Sequence, residues 1–144
     1  MIVLGYILII IASVAKAVMD KVNFHFERSI FNNPEKFNPL FWNPVISWKN
    51  KWRDGNSEKG EKFLFSSTIL VFTTDAWHRF QSIMLFSLFI GLYFIFSDSS
   101  LYNNLIHLII TSIMFRFIFT FVFHSVLEKD GKYLQNIRDR FISL

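Results

Sequence analysis

Asp20, Asp75, His78 and His124 are the side chains in this sequence whose types suit a metal ion. Carboxylate oxygens with imidazole nitrogens form a hard-to-borderline donor set that fits zinc, manganese or iron. Asp75 and His78 are three residues apart, a spacing that puts two ligands on one helical face, as Glu-x-x-His pairs do in metal-binding helical bundles. Three cations, Lys16, Arg79 and Arg116, lie in the same segments. They oppose a bare divalent ion, but would neutralise the oxygens of an anionic, lipid-like substrate while a metal activates water. The first functional expectation is therefore a metal-dependent hydrolase or transferase. Asp20, Asp75, His78 and His124 would hold the divalent cofactor, and Lys16, Arg79 and Arg116 would hold the anion. His25 is a reserve ligand, because on a helix it faces away from Asp20.

The second expectation needs no metal. Ionisable groups in apolar segments usually pair with one another, and the same charges would then be a structural network. The protein would be a non-catalytic membrane subunit, a small oligomeric pore or a lipid-binding protein. Other chemistry is thinly supplied. The absence of cysteine excludes disulfides, iron–sulfur ligation, thiolate zinc sites and cysteine nucleophiles. There is no His-Glu-x-x-His, no Gly-x-Ser-x-Gly and no phosphate-binding glycine loop. Arg116, His124 and Glu128 share the residue order of the membrane phosphatidic-acid-type phosphatases, but the spacing differs and the Ser-Gly-His element of that family is missing.

The elements that must position these groups are apolar. Hydrophobic residues make up 52% of the 144, and 19 are Phe. A soluble domain this short would leave much of that surface in water. The expected architecture is all-α: a helical integral membrane protein, one domain over 1–144, with three transmembrane helices and cytoplasmic amphipathic extensions. The spans are about 2–26, 64–96 and 101–127, joined by a connector over 27–63 and followed by an amphipathic tail over 128–144. The first span also resembles a signal peptide, with Ala15-Lys16-Ala17 as a cleavage site. It carries no Lys or Arg before Lys16, however, and cleavage would carry a basic segment across the membrane. A retained helix is expected. Lys16, Asp20, Asn23 and Glu27 then form one polar stripe, and Lys21, His25 and Arg28 a second.

Asn33-Pro34, Asn38-Pro39 and Asn43-Pro44 interrupt the connector. Trp48 and Trp52 alternate there with Lys49, Lys51 and Arg53. Such a run can stack on single-stranded nucleic acid. Beside a membrane helix it belongs at the headgroup level, so lipid is the expected partner and nucleic acid is not. All 15 Lys and Arg fall at one end of the three spans. The positive-inside rule then places the N-terminus outside and the connector and C-terminus in the cytoplasm.

At about 1.5 Å per residue, Asp20 lies roughly 27 Å from Ile2, and His78 roughly 27 Å back from Phe96. Arg116 and His124 lie roughly 23 Å and 34 Å from Leu101. Hydrocarbon is about 30 Å thick, so all reach the cytoplasmic boundary together. His107 sits shallower and is expected to be a helix-packing or hydrogen-bonding residue. Three spans are few to enclose a pocket, so a homo-oligomer or a membrane partner is also expected.

Phe41-Trp42-Asn43-Pro44, Ser47-Trp48-Lys49-Asn50-Lys51-Trp52, Gly60-Glu61-Lys62-Phe63 and Thr74-Asp75-Ala76-Trp77-His78 together resemble a group of small bacterial integral membrane proteins with no assigned function. The resemblance covers about residues 15–82. It implies that the polar collar around Asp75 is a shared element, and no activity comes with it.

Overall fold

The computed structural model describes residues 1–97 and 100–129. The amphipathic tail helix expected around Tyr133, Ile137 and Phe141 lies outside the described residues. Within them the chain is helical, with α1 over Ile2–Phe24, a four-residue α2 over Pro39–Trp42, α3 over Ala76–Phe96 and α4 over Leu101–Phe121. A π-helical turn, Val122–Val126, extends α4. Three helices are long and apolar enough to cross a membrane: α1, α3, and α4 with its π turn.

Helix α1 is the centre of the bundle. Of its most apolar stretch 44% is buried, against 17% for α3 and 6% for α4, so α3 and α4 pack on α1 more than on each other. The α1–α3 contact is antiparallel and built on small residues. A Cβ added at Gly5 would stand 2.6 Å from Ile95 Cγ1 and 2.8 Å from the Gly91 carbonyl oxygen, so the two backbones touch. Ala12, Ala17, Ala76 and Ser87 are buried along the two helices. The α1–α4 contact is parallel and carries polar rungs. Tyr6 Oη lies 2.7 Å from His107 Nδ1, and Ser13 Oγ donates to the Phe115 carbonyl at 2.6 Å. Lys21 Nζ donates to the Phe123 carbonyl at 3.2 Å.

The connector folds back onto the Ala76 end of the bundle. Asn33, Asn38 and Asn43 each accept from a backbone N–H two residues on (Glu35, Leu40 and Val45). These are Asx turns, and each Asn carbonyl also accepts from the N–H groups three and four residues on, so each Asn-Pro pair opens a short helical turn. Phe31, Phe37, Phe41 and Trp42 are thereby gathered against Phe80, with Phe31 and Trp42 stacked at 4.1 Å. They cover a core of Ala17, Val18, Val22, Ala76 and Leu127. Trp52 and Glu61 form an isolated bridge that closes the basic hairpin over 51–62.

The second long helix is shorter than the expected 64–96. It begins at Ala76, and residues 63–70 form turns followed by a 3₁₀ turn, Val71–Thr73. Three local interactions stop the helix from extending backwards. Phe65 takes a positive φ of 62°. The Glu61 carboxylate accepts from Phe65 N and Ser67 N, and the Ser67 hydroxyl also bonds it. Thr73 and Thr74 hydroxyls turn back to the Leu70 and Val71 carbonyls. Apolar character continues through 63–72, but the hydrogen bonds of a helix do not.

Candidate functional site

The polar collar is organised by Asp75, which is the N-cap of α3. Its backbone is extended, with φ −146° and ψ 160°. One carboxylate oxygen accepts from His78 N at 2.9 Å, and the other lies 2.7 Å from His78 Nδ1. The carboxylate therefore satisfies an orphan N–H of the first turn and orients the imidazole of the third helical residue. The Asp-x-x-His spacing read above as two ligands on one helical face is here a cap and the side chain it holds. The Asp75 side chain is 4% exposed, and its second oxygen also faces the Thr74 hydroxyl at 3.4 Å. Asn50 reaches in from the connector, donating to the Thr74 carbonyl at 2.6 Å.

Asp20 is engaged one turn back on its own helix. Lys16 Nζ lies 2.5 Å from each of its carboxylate oxygens, and the ammonium also stands 6.0 Å above the Phe119 ring of α4. His124 is half-buried in the π turn, edge-on to Phe123 at 4.9 Å. His25 caps the end of α1, is exposed, and lies edge-on to Phe123 at 5.4 Å. Among the described residues no group of three or more His, Asp and Glu could hold a metal ion. The expected set of Asp20, Asp75, His78 and His124, with His25 in reserve, is thus not assembled there. Its members reach the same end of the bundle, but two of the four are held by neighbours in sequence, Asp20 by Lys16 and Asp75 by His78.

The three expected anion contacts also separate. Lys16 is paired with Asp20. Arg79 donates from Nε to the Phe72 carbonyl at 3.2 Å and stacks over Phe41 at 5.2 Å. Arg116 is exposed on α4 and has no hydrogen-bond or ion-pair partner among the described residues.

The most buried charge among the described residues is one that residue patterning assigned to a polar face. The Lys21 side chain is 2% exposed and pairs with Glu128 beyond the π turn. Its ammonium also sits 4.7 Å from the Phe123 ring centre. Glu128 is fixed in turn by a backbone bridge to Ser29. The available signal was weak: Lys21 lies between Val18, Met19 and Val22, and Glu128 is the first acid after α4.

Outside the helices, Glu61 has its carboxyl held below the ordinary value. The Ser67 hydroxyl is the largest cause, followed by the Ser67 N–H; desolvation opposes them and the Phe65 N–H adds to them. Chemically, the connector end of the bundle is a set of paired charges and caps, with Arg116 standing apart. Comparison with known protein families, curated proteins and solved structures finds no match to this chain.

Proposed function

We propose that this chain is a non-catalytic integral membrane subunit. The charges at the connector end of its bundle serve structure: two pairs brace the helix they sit on, and a third ties α1 to the segment after α4. The observation that carries the reading is that these charges are engaged within the chain: Lys16 with Asp20, Lys21 with Glu128, and Asp75 with the N-terminus of α3 and with His78. A catalytic site would need groups free to meet a substrate. The proposed orientation follows charge asymmetry, with the N-terminus outside and the connector and C-terminus in the cytoplasm. On α4, Ile109, Ile113 and Phe117 are exposed at four-residue spacing, an apolar face suited to lipid, to another copy or to a membrane partner.

Metal analysis of the purified protein tests the reading. Absence of stoichiometric metal is expected, with Asp75→Asn and His78→Ala losing thermal stability only. Stoichiometric zinc, manganese or iron that disappears in both variants would overturn it and restore the metal-dependent enzyme. Protease added to the outside of intact cells should spare the connector over 27–63, and digestion there would reverse the orientation.

A further inference from the structure

Two independent features meet on the α3-facing flank of α4. The first is a groove of about 360 Å³ between the three helices, lined by Ile9, Leu88, Leu92, Leu108, Ser112 and Phe115. The second is Arg116, one helical turn beyond Ser112 on the same face of α4, exposed and without a partner among the described residues. Resting on the membrane reading above, we infer that this groove and Arg116 together bind one net-anionic phospholipid of the cytoplasmic leaflet, its acyl chain in the groove and its phosphate on the guanidinium.

Depth supports this placement. Arg116 lies about 23 Å along α4 from Leu101, within a hydrocarbon layer about 30 Å thick. A cation there is costly unless it meets an anion or water, and a long side chain snorkels only toward the nearer headgroups. The groove lies on the Leu101 side of Arg116, toward the middle of the bilayer, which is where the tail of a lipid with its phosphate at Arg116 would run.

The alternative anion is a carboxylate from another protein helix, and the sequence disfavours a second copy of this chain as its source. Neither α3 nor the stretch from Leu101 to Val126 contains Asp or Glu, and the one acid of α1, Asp20, is held by Lys16. A second copy of this chain therefore has no unengaged carboxylate within its spans to offer. Guanidinium matches phosphate by two parallel N–H···O bonds, and the apolar lining supplies the rest.

The test is native mass spectrometry of the full chain in mild detergent, titrated separately with dioleoyl-phosphatidylglycerol and dioleoyl-phosphatidylcholine. The wild type and Arg116→Lys should prefer phosphatidylglycerol. Arg116→Gln should lose that preference by about fivefold, the effect of one cation at a lipid surface. Ser112→Phe, at an exposed position that fills the groove without disturbing a buried contact, should weaken both lipids. An unchanged preference in Arg116→Gln overturns the site. So does an Arg116-dependent dimer with lipid binding unaltered, which would assign the residue to a partner carboxylate. Carbonate washing of membranes tests the underlying reading separately. Release of the chain overturns both that reading and the lipid site, while retention with unaltered lipid preference overturns the lipid site alone.

Discussion

Against α3, helix α1 presents Gly5, whose backbone approaches Gly91 so closely that no side chain fits between. Against α4 it presents Tyr6, Ser13 and Lys21, which reach His107, the Phe115 carbonyl and the Phe123 carbonyl. The first face works by proximity: small residues let backbones approach and gain dispersion contacts, with little to specify how far one helix slides along the other. The second works by register. Tyr6, Ser13 and Lys21 are separated by seven and eight residues, and their partners by eight and eight. Two turns of about 3.6 residues bring each set onto one stripe, so two parallel helices match rung for rung. A slip by one residue would leave all three rungs unmade. One central helix thus sets distance with one neighbour and register with the other.

The strongest way to break this division is at the third rung. Lys21→Met removes a cation that is 2% exposed and leaves Glu128 without its partner. Truncating one side of a buried pair costs about 3–5 kcal/mol, so a large fall in thermal or SDS-titrated stability is expected. The double variant Lys21→Met with Glu128→Leu should recover most of it, because replacing a buried pair by packed apolar groups is often close to neutral. If the single variant is as stable as the wild type, the α4 register does not depend on this pair.

Gly5→Ala tests the other face by its sign. Helix propensity alone predicts a gain of about 1 kcal/mol. The new methyl, however, would meet Ile95 Cγ1 and, less able to move, the Gly91 carbonyl. Overpacking of this kind costs about 1–3 kcal/mol, so a net loss is expected in the same unfolding assay. A net gain would show that α1 and α3 do not pack backbone to backbone there.

The three long helices were readable from uninterrupted apolar runs, and their ends near Ile2, Phe96 and Leu101 were close. The error over 64–75 has a physical cause. Phe63 to Phe72 is apolar enough to continue a span, and what stops the helix is local: the Glu61 carboxylate accepts from Phe65 N, Ser67 N and the Ser67 hydroxyl, while the Thr73 and Thr74 hydroxyls donate to the Leu70 and Val71 carbonyls. Asp75 is expected as a metal ligand and stands in the fold as an N-cap, because the same carboxylate oxygens that suit a cation also accept backbone N–H groups at a helix start. The four expected ligands are not gathered into one group among the described residues. Counting residues along each helix fixes depth, and depth alone does not bring side chains onto facing sides. Lys21 was missed because a stripe count treats every cation as a seeker of solvent, and its partner is 107 positions away.

The upper rungs between α1 and α4 carry smaller effects. Tyr6→Phe removes the hydroxyl 2.7 Å from His107, and Ser13→Ala removes the donor to the Phe115 carbonyl. Hydrogen bonds between helices in a bilayer average about 0.6 kcal/mol, so each variant should be only slightly less stable than the wild type. A double-mutant cycle with Lys21→Met should show coupling greater than the sum of the parts if the rungs act together as one register. Strict additivity would make them three unrelated contacts.

The smallest effect is expected from acid, because Glu61 lies outside both faces of α1. The Glu61 carboxyl is held below its ordinary value of 4.5, first by the Ser67 hydroxyl, then by the Ser67 N–H, with the Phe65 N–H adding to them against an opposing desolvation effect. A lowered folded-state value means that its contribution is fully present above the unfolded value and is lost as pH falls through the folded one. Acidification below 4.5 should therefore loosen the turn over 61–67, seen as faster amide exchange at Phe65 and Ser67, while the Tyr6, Ser13 and Gly5 contacts keep their protection. Glu61→Gln should show the loosened turn already at neutral pH and remove its acid dependence. If the variant instead shifts exchange along α1, the connector turn and the bundle are coupled, and the separation between the two faces of α1 and the loop beside them does not hold.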